Sequence, residues 1–320
     1  MNKLLEALNE ARTVAITGHV NPDGDCVGSC MGMYLYLRDN YPQLQVDVYL
    51  NSVREGFGYI QGMDQVKENF ELGDKYDLLL LFDVSSKDRL CVSSEIMNAS
   101  KHSVCVDHHV TNNGLAEDNV ICPEASSTAE VLFELLEEEK ISKAAAEALY
   151  TGIIHDTGMF HHSCTSSKTM RIAGALMDKG IDFSKIVDES FYTRTYRQNQ
   201  IMGRTILESI MLLDGKCIVG VVSHRVMEFY GVTPKDLDGI VDQLRITKGV
   251  EVALFLYAVG TQEFKVSMRS NGKVNVSEIA QSFGGGGHVK AAGCTMQGSF
   301  YDVVNNLTGP IERQLRETEL

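Results

Sequence analysis

Three short apolar runs in the first half of the chain, and one Ala-rich run behind them, each end in a group of Asp or His residues. The apolar runs are Thr13–Thr17, Asp77–Phe82 and Ser103–Val106, and the Ala-rich run is Lys143–Ile154. Near-continuous apolar runs separated by helical segments are typical of parallel strands that helices cover on both faces. This pattern predicts an α/β fold, with a doubly wound parallel sheet in the N-terminal domain.

The pattern changes beyond residue 185. The segment 186–205 is polar and has no Pro, and we interpret it as a helical connector. Strand-like runs at Cys217–Val222, Val252–Ala258 and Phe264–Met268, with a helical stretch near 235–245, predict a second, smaller α+β domain. The predicted organisation is therefore a first domain over 1–185, the connector over 186–205 and a second domain over 206–320.

The acidic and histidine residues stand where the predicted elements end. They are His19, Asp23 and Asp25, then Asp83, then Asp107, His108 and His109, then His155 and Asp156. The carboxyl ends of strands in an open parallel sheet meet at one crevice, where ligands bind. Carboxylates that converge there repel one another unless cations neutralise them. Mixed carboxylate and imidazole ligands suit Mn²⁺, with Mg²⁺ or Co²⁺ as alternatives, and the acids are numerous enough for two metals.

Each of these residues, taken alone, has an ordinary structural explanation. A single Asp after a strand usually caps a helix or a turn, and this is the favoured interpretation of Asp83 by itself. A single His is usually structural as well. The four groups together, in this order and at element ends, favour metal binding.

The chain resembles the DHH phosphoesterase superfamily, and in particular the nanoRNase / 3′-phosphoadenosine-5′-phosphate (pAp) phosphatase family of RecJ-like proteins. The resemblance lies in four motifs of the first domain, GHVNPDGDCVGS, LLLFDVSS, VCVDHHV and GIIHDTGMF, and in SMRSNGKVNVSEIAQSFGGGGHVKAAG of the second. Together these motifs extend from residue 18 to residue 293. The resemblance implies a DHH domain followed by a DHH-associated domain, and metal-dependent hydrolysis of phosphodiester or phosphomonoester bonds, typically with Mn²⁺.

Roles for individual positions follow from the same resemblance. One metal would be held by His19, Asp23 and Asp83, and the other by Asp25, His108, Asp156 and again Asp83, which bridges the two. Asp107 would support a metal-bound histidine, and His109 would face the scissile phosphate as a hydrogen-bond donor or a proton carrier. The chain departs from the usual family pattern at two positions, with His155 in place of Thr and Cys164 in place of Asn. A structural role is favoured for His155 and for the pair His161 and His162.

Candidate substrate residues lie in the second domain. A glycine run is often only a flexible loop, but residues without Cβ also let backbone N–H groups approach a phosphate or a base. Arg269, in the sequence MRSN, carries a planar fork suited to phosphate, although alone it is an ordinary charge at a strand end. With the family resemblance, we expect Arg269, Gly285, Gly286, Gly287 and His288 to bind substrate.

The expected activity is hydrolysis of short RNA oligonucleotides to 5′-mononucleotides, of pAp to AMP and phosphate, or of both. The alternatives are a linear or cyclic dinucleotide phosphodiesterase and an inorganic pyrophosphatase-like hydrolase, although MRSN and GGGGHVKAAG favour nucleotides over pyrophosphate. The intact set of acids argues against an inactive nucleotide sensor. A formal net charge of −14 disfavours long nucleic acid, because binding it needs clustered Lys and Arg.

The sequence also predicts a cytoplasmic protein without a membrane span. Its eight cysteines include no CxxC pair, and the amphipathic segment MNKLLEALNEAR lacks the apolar core of a signal peptide. No apolar stretch approaches the ~20 residues that a membrane span needs. The sequence is compatible with a homodimer.

Overall fold

A five-stranded parallel sheet organises the first half of the chain in the computed structural model, which describes residues 3–71 and 75–318. Its strands are β1 (Thr13–Thr17), β2 (Gln45–Tyr49), β3 (Tyr76–Phe82), β4 (Ser100–Asp107) and β5 (Asp118–Ile121). They lie in the order β2-β1-β3-β4-β5, and every neighbouring pair is parallel. A sheet of this order has its ligand crevice where the chain changes direction across the sheet, between the carboxyl ends of β1 and β3.

Seven α-helices lie in the described residues of this first unit, which ends at Thr193. They are α1 (Lys3–Glu10), α2 (Gly24–Asn40), α3 (Glu95–Asn98), α4 (Thr128–Leu135), α5 (Lys143–Asp156), α6 (Ser167–Asp178) and α7 (Phe183–Val187), which continues into a π-helical turn over Asp188–Tyr192. Helices α2 and α5 pack with their backbones unusually close. A Cβ on Gly28 of α2 would lie 2.5 Å from the carbonyl oxygen of Ala148 in α5. This close packing fixes the start of α2 relative to the end of α5, where predicted metal ligands lie.

The second unit, which begins at Arg194, is built on a mixed six-stranded sheet. Its strands are β6 (Ile210–Leu212), β7 (Cys217–Val222), β8 (Val252–Gly260), β9 (Glu263–Ser270), β10 (Gly286–His288) and β11 (Ala291–Gln297). Its helices are α8 (Tyr196–Leu207), α9 (His224–Tyr230), α10 (Ile240–Arg245), α11 (Val276–Ser282) and α12 (Phe300–Glu317). The strands lie in the order β10-β11-β9-β8-β7-β6, and only β7 and β8 pair in parallel. One apolar core packs α11 and α12 against one face, and a second core packs α8, α9 and α10 against the other.

Two predicted segments take a different form in the structure. The helical stretch predicted near 235–245 is interrupted, because Gly239 adopts φ 79° between a 3₁₀ turn (Pro234–Leu237) and α10. The connector predicted over 186–205 falls partly in each unit, since the π-helical turn belongs to the first and α8 to the second. Within residues 3–71 and 75–318, no helix is both long enough and apolar enough to cross a bilayer.

Candidate metal centre

The side chains predicted to bind metal converge at the carboxyl ends of β1, β3 and β4, around the carboxylate of Asp83. On one side, His19 Nε2 lies 3.4 Å from Asp83 Oδ2 and 3.6 Å from Asp23 Oδ1. On the other side, His108 Nε2 lies 3.6 Å from Asp83 Oδ1 and 3.0 Å from Asp156 Oδ2. Each oxygen of Asp83 thus faces a different group of candidate ligands, as a carboxylate that bridges two metals must.

Asp25 completes the second group from a fully buried position in the first turn of α2. Its Oδ2 lies 4.0 Å from His108 Nε2. The carboxylate accepts hydrogen bonds from the backbone N–H groups of Thr128 (2.6 Å) and Ala129 (3.0 Å), at the start of α4. A Cβ on Gly152 would lie 2.7 Å from Asp25 Oδ1, so glycine is needed there. The helix N-terminus stabilises this buried negative charge and holds it in place.

Two further features of the backbone orient the ligands. Asp23 is the N-cap of α2, and its Oδ1 accepts from the N–H groups of Asp25 and Cys26. Asp83 adopts φ 55°, in the left-handed region that non-glycine residues rarely occupy. Its N–H still donates to the carbonyl of Val106 on β4 (3.2 Å), so the backbone stays paired with β4 as far as Asp83 and leaves the sheet only after it. Backbone conformations of this kind cluster at functional sites.

The electrostatics of the centre show an excess of buried negative charge. Burial raises the pKa of Asp25, and the charges of Asp83 and Asp156 raise it further. Burial likewise raises the pKa of Asp156 to about 6, despite its hydrogen bond with His108. Burial alone would lower the pKa of each histidine, but hydrogen bonds to the carboxylates raise it to about 12 for His19 and about 10 for His108. Protons therefore occupy positions where divalent cations would neutralise the same carboxylates, and this donor set fits such cations.

Asp107 contacts the ring of His109 rather than that of His108, although its Oδ1 also accepts from the His108 backbone N–H. Its Oδ1 lies 2.7 Å from His109 Nδ1 and accepts from the backbone N–H of His109, while Oδ2 accepts from Asn112 Nδ2 at 2.7 Å. The ring of His108 instead places Nδ1 3.4 Å from the carbonyl of Ala125. The hydrogen bond with Asp107 raises the pKa of His109 and orients the ring so that Nε2 is the nitrogen left for a substrate.

His155 and Cys164, which depart from the family pattern, lie at the border of the centre, as does His162. His155 stacks on Phe191 (4.1 Å between ring centroids) and meets Phe57 edge-on (5.0 Å), and burial lowers its pKa to about 4. It therefore packs as a neutral aromatic ring. His162 Nδ1 lies 3.0 Å from the backbone oxygen of Asp156, and Cys164 Sγ donates weakly to the same oxygen.

Some residues of the centre were not predicted from the sequence. Thr128 Oγ1 donates to Asp83 Oδ1 at 3.2 Å. The ligand atoms of Cys26, His19 and Asp83 lie within 4.8 Å of one another, and Cys26 Sγ accepts from the His19 N–H. A signal for Thr128 was present, since Ser-Ser-Thr before an apolar run is typical of a helix N-terminus with free N–H donors. No comparable signal marks Cys26.

Two of the substrate residues predicted in the second domain, Arg269 and His288, lie on one face of its sheet. Arg269 on β9 is opposite Ala291 on β11, and Ala291 is opposite His288 on β10. Residues directly opposite on neighbouring strands project from the same face. The guanidinium of Arg269 is held by Asp242, whose Oδ1 lies 2.9 Å from Nε. Arg269 and His288 therefore flank Ala291 in one row across three strands.

The glycine run is an ordered edge strand rather than a flexible loop. Gly286, Gly287 and His288 form β10, which pairs with β11. A Cβ on Gly285 would lie 2.1 Å from the carbonyl of Gly293, so close packing requires this glycine. Gly287 adopts φ 145°, and a Cβ there would lie 2.4 Å from the carbonyl of Ala291. Gly286 has open space around it, so the fold does not explain its lack of a side chain.

We expect metal binding to release protons at pH 7. His19 and His108 have pKa values of about 12 and about 10 without metal, so both rings are charged and each must lose a proton to become a ligand. About two protons or more should therefore leave per saturated protein, and affinity should fall as the pH falls. Calorimetric titration with Mn²⁺ in buffers of different ionisation enthalpy measures this number. A binding enthalpy independent of the buffer would show that these histidines are not ligands.

Comparison with known proteins finds two family models that match this chain and relatives that match over most of its length. Residues 13–153 match the family model described as DHH family, N-terminal domain, and residues 214–317 match the DHHA1 domain. The bifunctional oligoribonuclease and PAP phosphatase NrnA of Bacillus subtilis (strain 168) is 23% identical over 323 residues, covering 99% of both chains. The protein of the same name from Thermus thermophilus is 29% identical over 294 residues, covering 89% of this chain and 84% of the relative. The crystal structure of an exopolyphosphatase-related protein from Bacteroides fragilis has the same fold, with a TM-score of 0.88 over 97% of this chain and 94% of that chain at 24% identity.

Proposed function

Because this chain belongs to the DHH family and carries a DHHA1 domain behind the DHH domain, we propose that it is a phosphoesterase acting on short RNA oligonucleotides and on pAp. Oligonucleotides would be cut to 5′-mononucleotides, and pAp to AMP and phosphate. The relatives that this chain matches over most of their length are named bifunctional oligoribonuclease and PAP phosphatase, which supports this pairing of substrates. The observation that carries the proposal is the position of Asp83, with one carboxylate oxygen toward each group of ligands.

We propose Mn²⁺ as the metal of both positions. His19, Asp23 and Asp83 would hold one ion, and Asp25, His108, Asp156 and Asp83 the other. Bound divalent ions would supply Lewis acidity toward a phosphoryl oxygen and a water of lowered pKa. Imidazole and carboxylate donors in this ratio are well matched to Mn²⁺ and also accept Mg²⁺ or Co²⁺.

His109 would provide the proton that a phosphate ester needs for its leaving group. Asp107 keeps the pKa of His109 above its usual value, which favours the protonated ring, whose Nε2 carries a transferable proton. Asp107 itself accepts hydrogen bonds from Asn112 and from the backbone, which keeps the orientation of the His109 ring fixed. The chain's own acid–base group is thus positioned by a partner that does not itself react.

Substrate recognition would lie with Arg269, His288 and the glycine strand. Arg269 offers a charged donor already oriented by Asp242, so little side-chain freedom is lost when phosphate binds. The side chain of His288 is exposed at the edge of the sheet. Gly285 and Gly287 keep β10 close to β11, and Gly286 would let a substrate approach the backbone.

A substrate panel tests the function. The holoenzyme with Mn²⁺ is given pAp, dinucleotides, five-nucleotide RNA, long RNA, cyclic dinucleotides and pyrophosphate, and each reaction is repeated with excess chelator. We expect the highest kcat/KM on pAp and on two- to five-nucleotide RNA, with no turnover in chelator. Preference for cyclic dinucleotides or for pyrophosphate would replace the proposed function by one of the alternatives.

Gly286 and Gly287 form a matched pair for testing the role of the glycine strand. Gly286→Ala should leave the melting temperature unchanged, because nothing lies within 4 Å of the new methyl group, but should raise KM for pAp if substrate approaches the backbone there. Gly287→Ala should lower stability by about 1–2 kcal/mol or more, because the φ of 145° and the contact with Ala291 both oppose a Cβ. Thermal denaturation and steady-state kinetics separate the two effects. Unchanged KM for Gly286→Ala would remove this residue from the substrate site.

A further inference from the structure

The face of the second sheet that carries Arg269 and His288 is covered by α8, α9 and α10 over β7 and β8. Its part over β9, β11 and β10, here called the open face, continues beyond the row of Arg269 and His288. Side chains two positions apart on a strand project from the same face, as do Lys265, Ser267 and Arg269 of β9. Their partners on β11 are Thr295, Gly293 and Ala291, respectively. The other face is buried against α11 and α12, with Val266 and Met268 in the core. The open face therefore consists of parallel rows of side chains that run across the strands.

The middle row has almost no side chains. Ser267 of β9 is opposite Gly293 of β11, which is opposite Gly286 of β10. Only the hydroxymethyl group of Ser267 projects from these three positions, so the backbone forms a flat floor three strands wide. A planar ring can lie against such a floor at van der Waals distance, which a Cβ on Gly286 would prevent.

A second cationic row borders this floor on the side away from Arg269. Lys265 is exposed and stands between Thr295 of β11 and the half-buried Tyr257 of β8. It takes part in no ion pair with another residue of the described parts of the chain. Lys265 lies four positions before Arg269 on the strand, or ~13 Å between Cα atoms. The floor thus lies between two rows that each carry a basic side chain, Arg269 on one side and Lys265 on the other.

The positive surface ends at the next row. There Glu263 stands opposite Gln297, whose Nε2 donates to Glu263 Oε1 at 2.7 Å. A carboxylate fixed at this point repels the phosphate of any chain that continues along the sheet. The distribution of charge along the sequence agrees with this picture. Residues 1–193 contain 30 Asp and Glu against 15 Lys and Arg, whereas residues 194–320 contain 13 against 14.

We propose that this surface, formed by Lys265, Ser267, Gly286, Gly293 and Thr295, binds the second nucleotide of a short RNA, with its base on the glycine floor and its phosphate at Lys265. The proposal rests on the proposed function and extends it, since Arg269 and His288 would hold the nucleotide at the reacting end. Glu263 limits the length of RNA that gains from the surface. A substrate as small as pAp uses the row of Arg269 and His288 and the adjoining backbone at Gly286, and does not reach Lys265.

The test compares Lys265→Ala with wild type in the Mn²⁺ holoenzyme, on five-nucleotide RNA and on pAp, at a series of salt concentrations. For the RNA, we expect kcat/KM to fall about fivefold at low salt, the upper range for one exposed charge contact. The slope of log kcat/KM against log salt should become shallower by about 0.7, the value for one phosphate contact with a single strand. Both quantities should remain unchanged for pAp. Glu263→Gln should raise kcat/KM on RNA longer than five nucleotides.

Lys216→Ala is the matched control, because Lys216 is exposed in the turn between β6 and β7, at the opposite edge of the sheet. This substitution should leave kcat/KM unchanged on both five-nucleotide RNA and pAp. An equal loss on RNA and pAp for Lys265→Ala, or no loss on either, overturns the second-nucleotide surface while leaving the phosphoesterase function intact. Failure of wild type to cleave both substrates overturns the proposed function itself.

Discussion

Asp83→Asn should lower kcat/KM for pAp by about a thousandfold or more, because both carboxylate oxygens of Asp83 face candidate metal ligands. An amide keeps the shape of the side chain but removes the charge and replaces one oxygen by a donor. Asn also tolerates the φ of 55° found at this position better than most residues. The fold should therefore persist. The measurements are steady-state kinetics with saturating Mn²⁺ and the melting temperature of the metal-free protein.

Asp88→Asn is the control for this substitution. Asp88 lies five residues further on, exposed in the 3₁₀ turn Lys87–Arg89. Its substitution by Asn therefore removes the same charge from the same loop. It should leave activity within about twofold of wild type, as surface substitutions generally do. If Asp83→Asn retained activity within a factor of ten of the Asp88→Asn protein, Asp83 would not be a bridging ligand.

His109→Ala should lower turnover of pAp by about a hundred- to ten-thousandfold, the range for loss of a general acid. The loss should be much smaller for a 4-nitrophenyl phosphate ester, because nitrophenolate leaves without being protonated. His109 donates its Nδ1 proton to Asp107 and keeps Nε2 for the substrate, so the removal of the ring takes away one proton donor and no predicted metal ligand.

The comparison of the two leaving groups distinguishes the roles that His109 could play. An equal loss on pAp and on the nitrophenyl ester would show that His109 binds the phosphate or a metal instead of protonating the leaving group. Mn²⁺ stoichiometry, measured on the same protein, separates these two remaining roles. His162→Ala is a suitable control, since this exposed ring contacts only the backbone side of the centre, at Asp156.

The sequence predicted the part of the centre that depends on local pattern. The apolar runs that became β1, β3 and β4 could be recognised because buried parallel strands have no alternation, and a residue at the end of such a strand has only one edge of the sheet to occupy. The start of α2 is harder to recognise from the sequence. The helix begins at Gly24 because Asp23 caps it, but the Gly-Asp sequence that follows the cap is equally typical of a loop.

Interactions between distant segments could not be predicted in the same way. The N–H groups that hold Asp25 come from residues 103 and 104 positions away, and nothing in the sequence around Asp25 indicates α4 as their source. The left-handed conformation of Asp83 has no residue signal either, since Asp is common in ordinary turns. The register that aligns Arg269 with His288 depends on the pairing of three strands, which is a property of the sheet as a whole.

The burial of Asp25 has a consequence for how long the protein survives in a cell. A carboxyl group whose pKa is higher in the folded chain than in the unfolded chain destabilises the fold at neutral pH, because the unfolded chain ionises that group more easily. An ion that binds only the folded form, at a concentration 100 times its dissociation constant, adds about 2.7 kcal/mol of stability. That corresponds to roughly a hundredfold fewer unfolded molecules available to proteases. The abundance of this protein should therefore rise and fall with the supply of the ion, even when its rate of synthesis is constant.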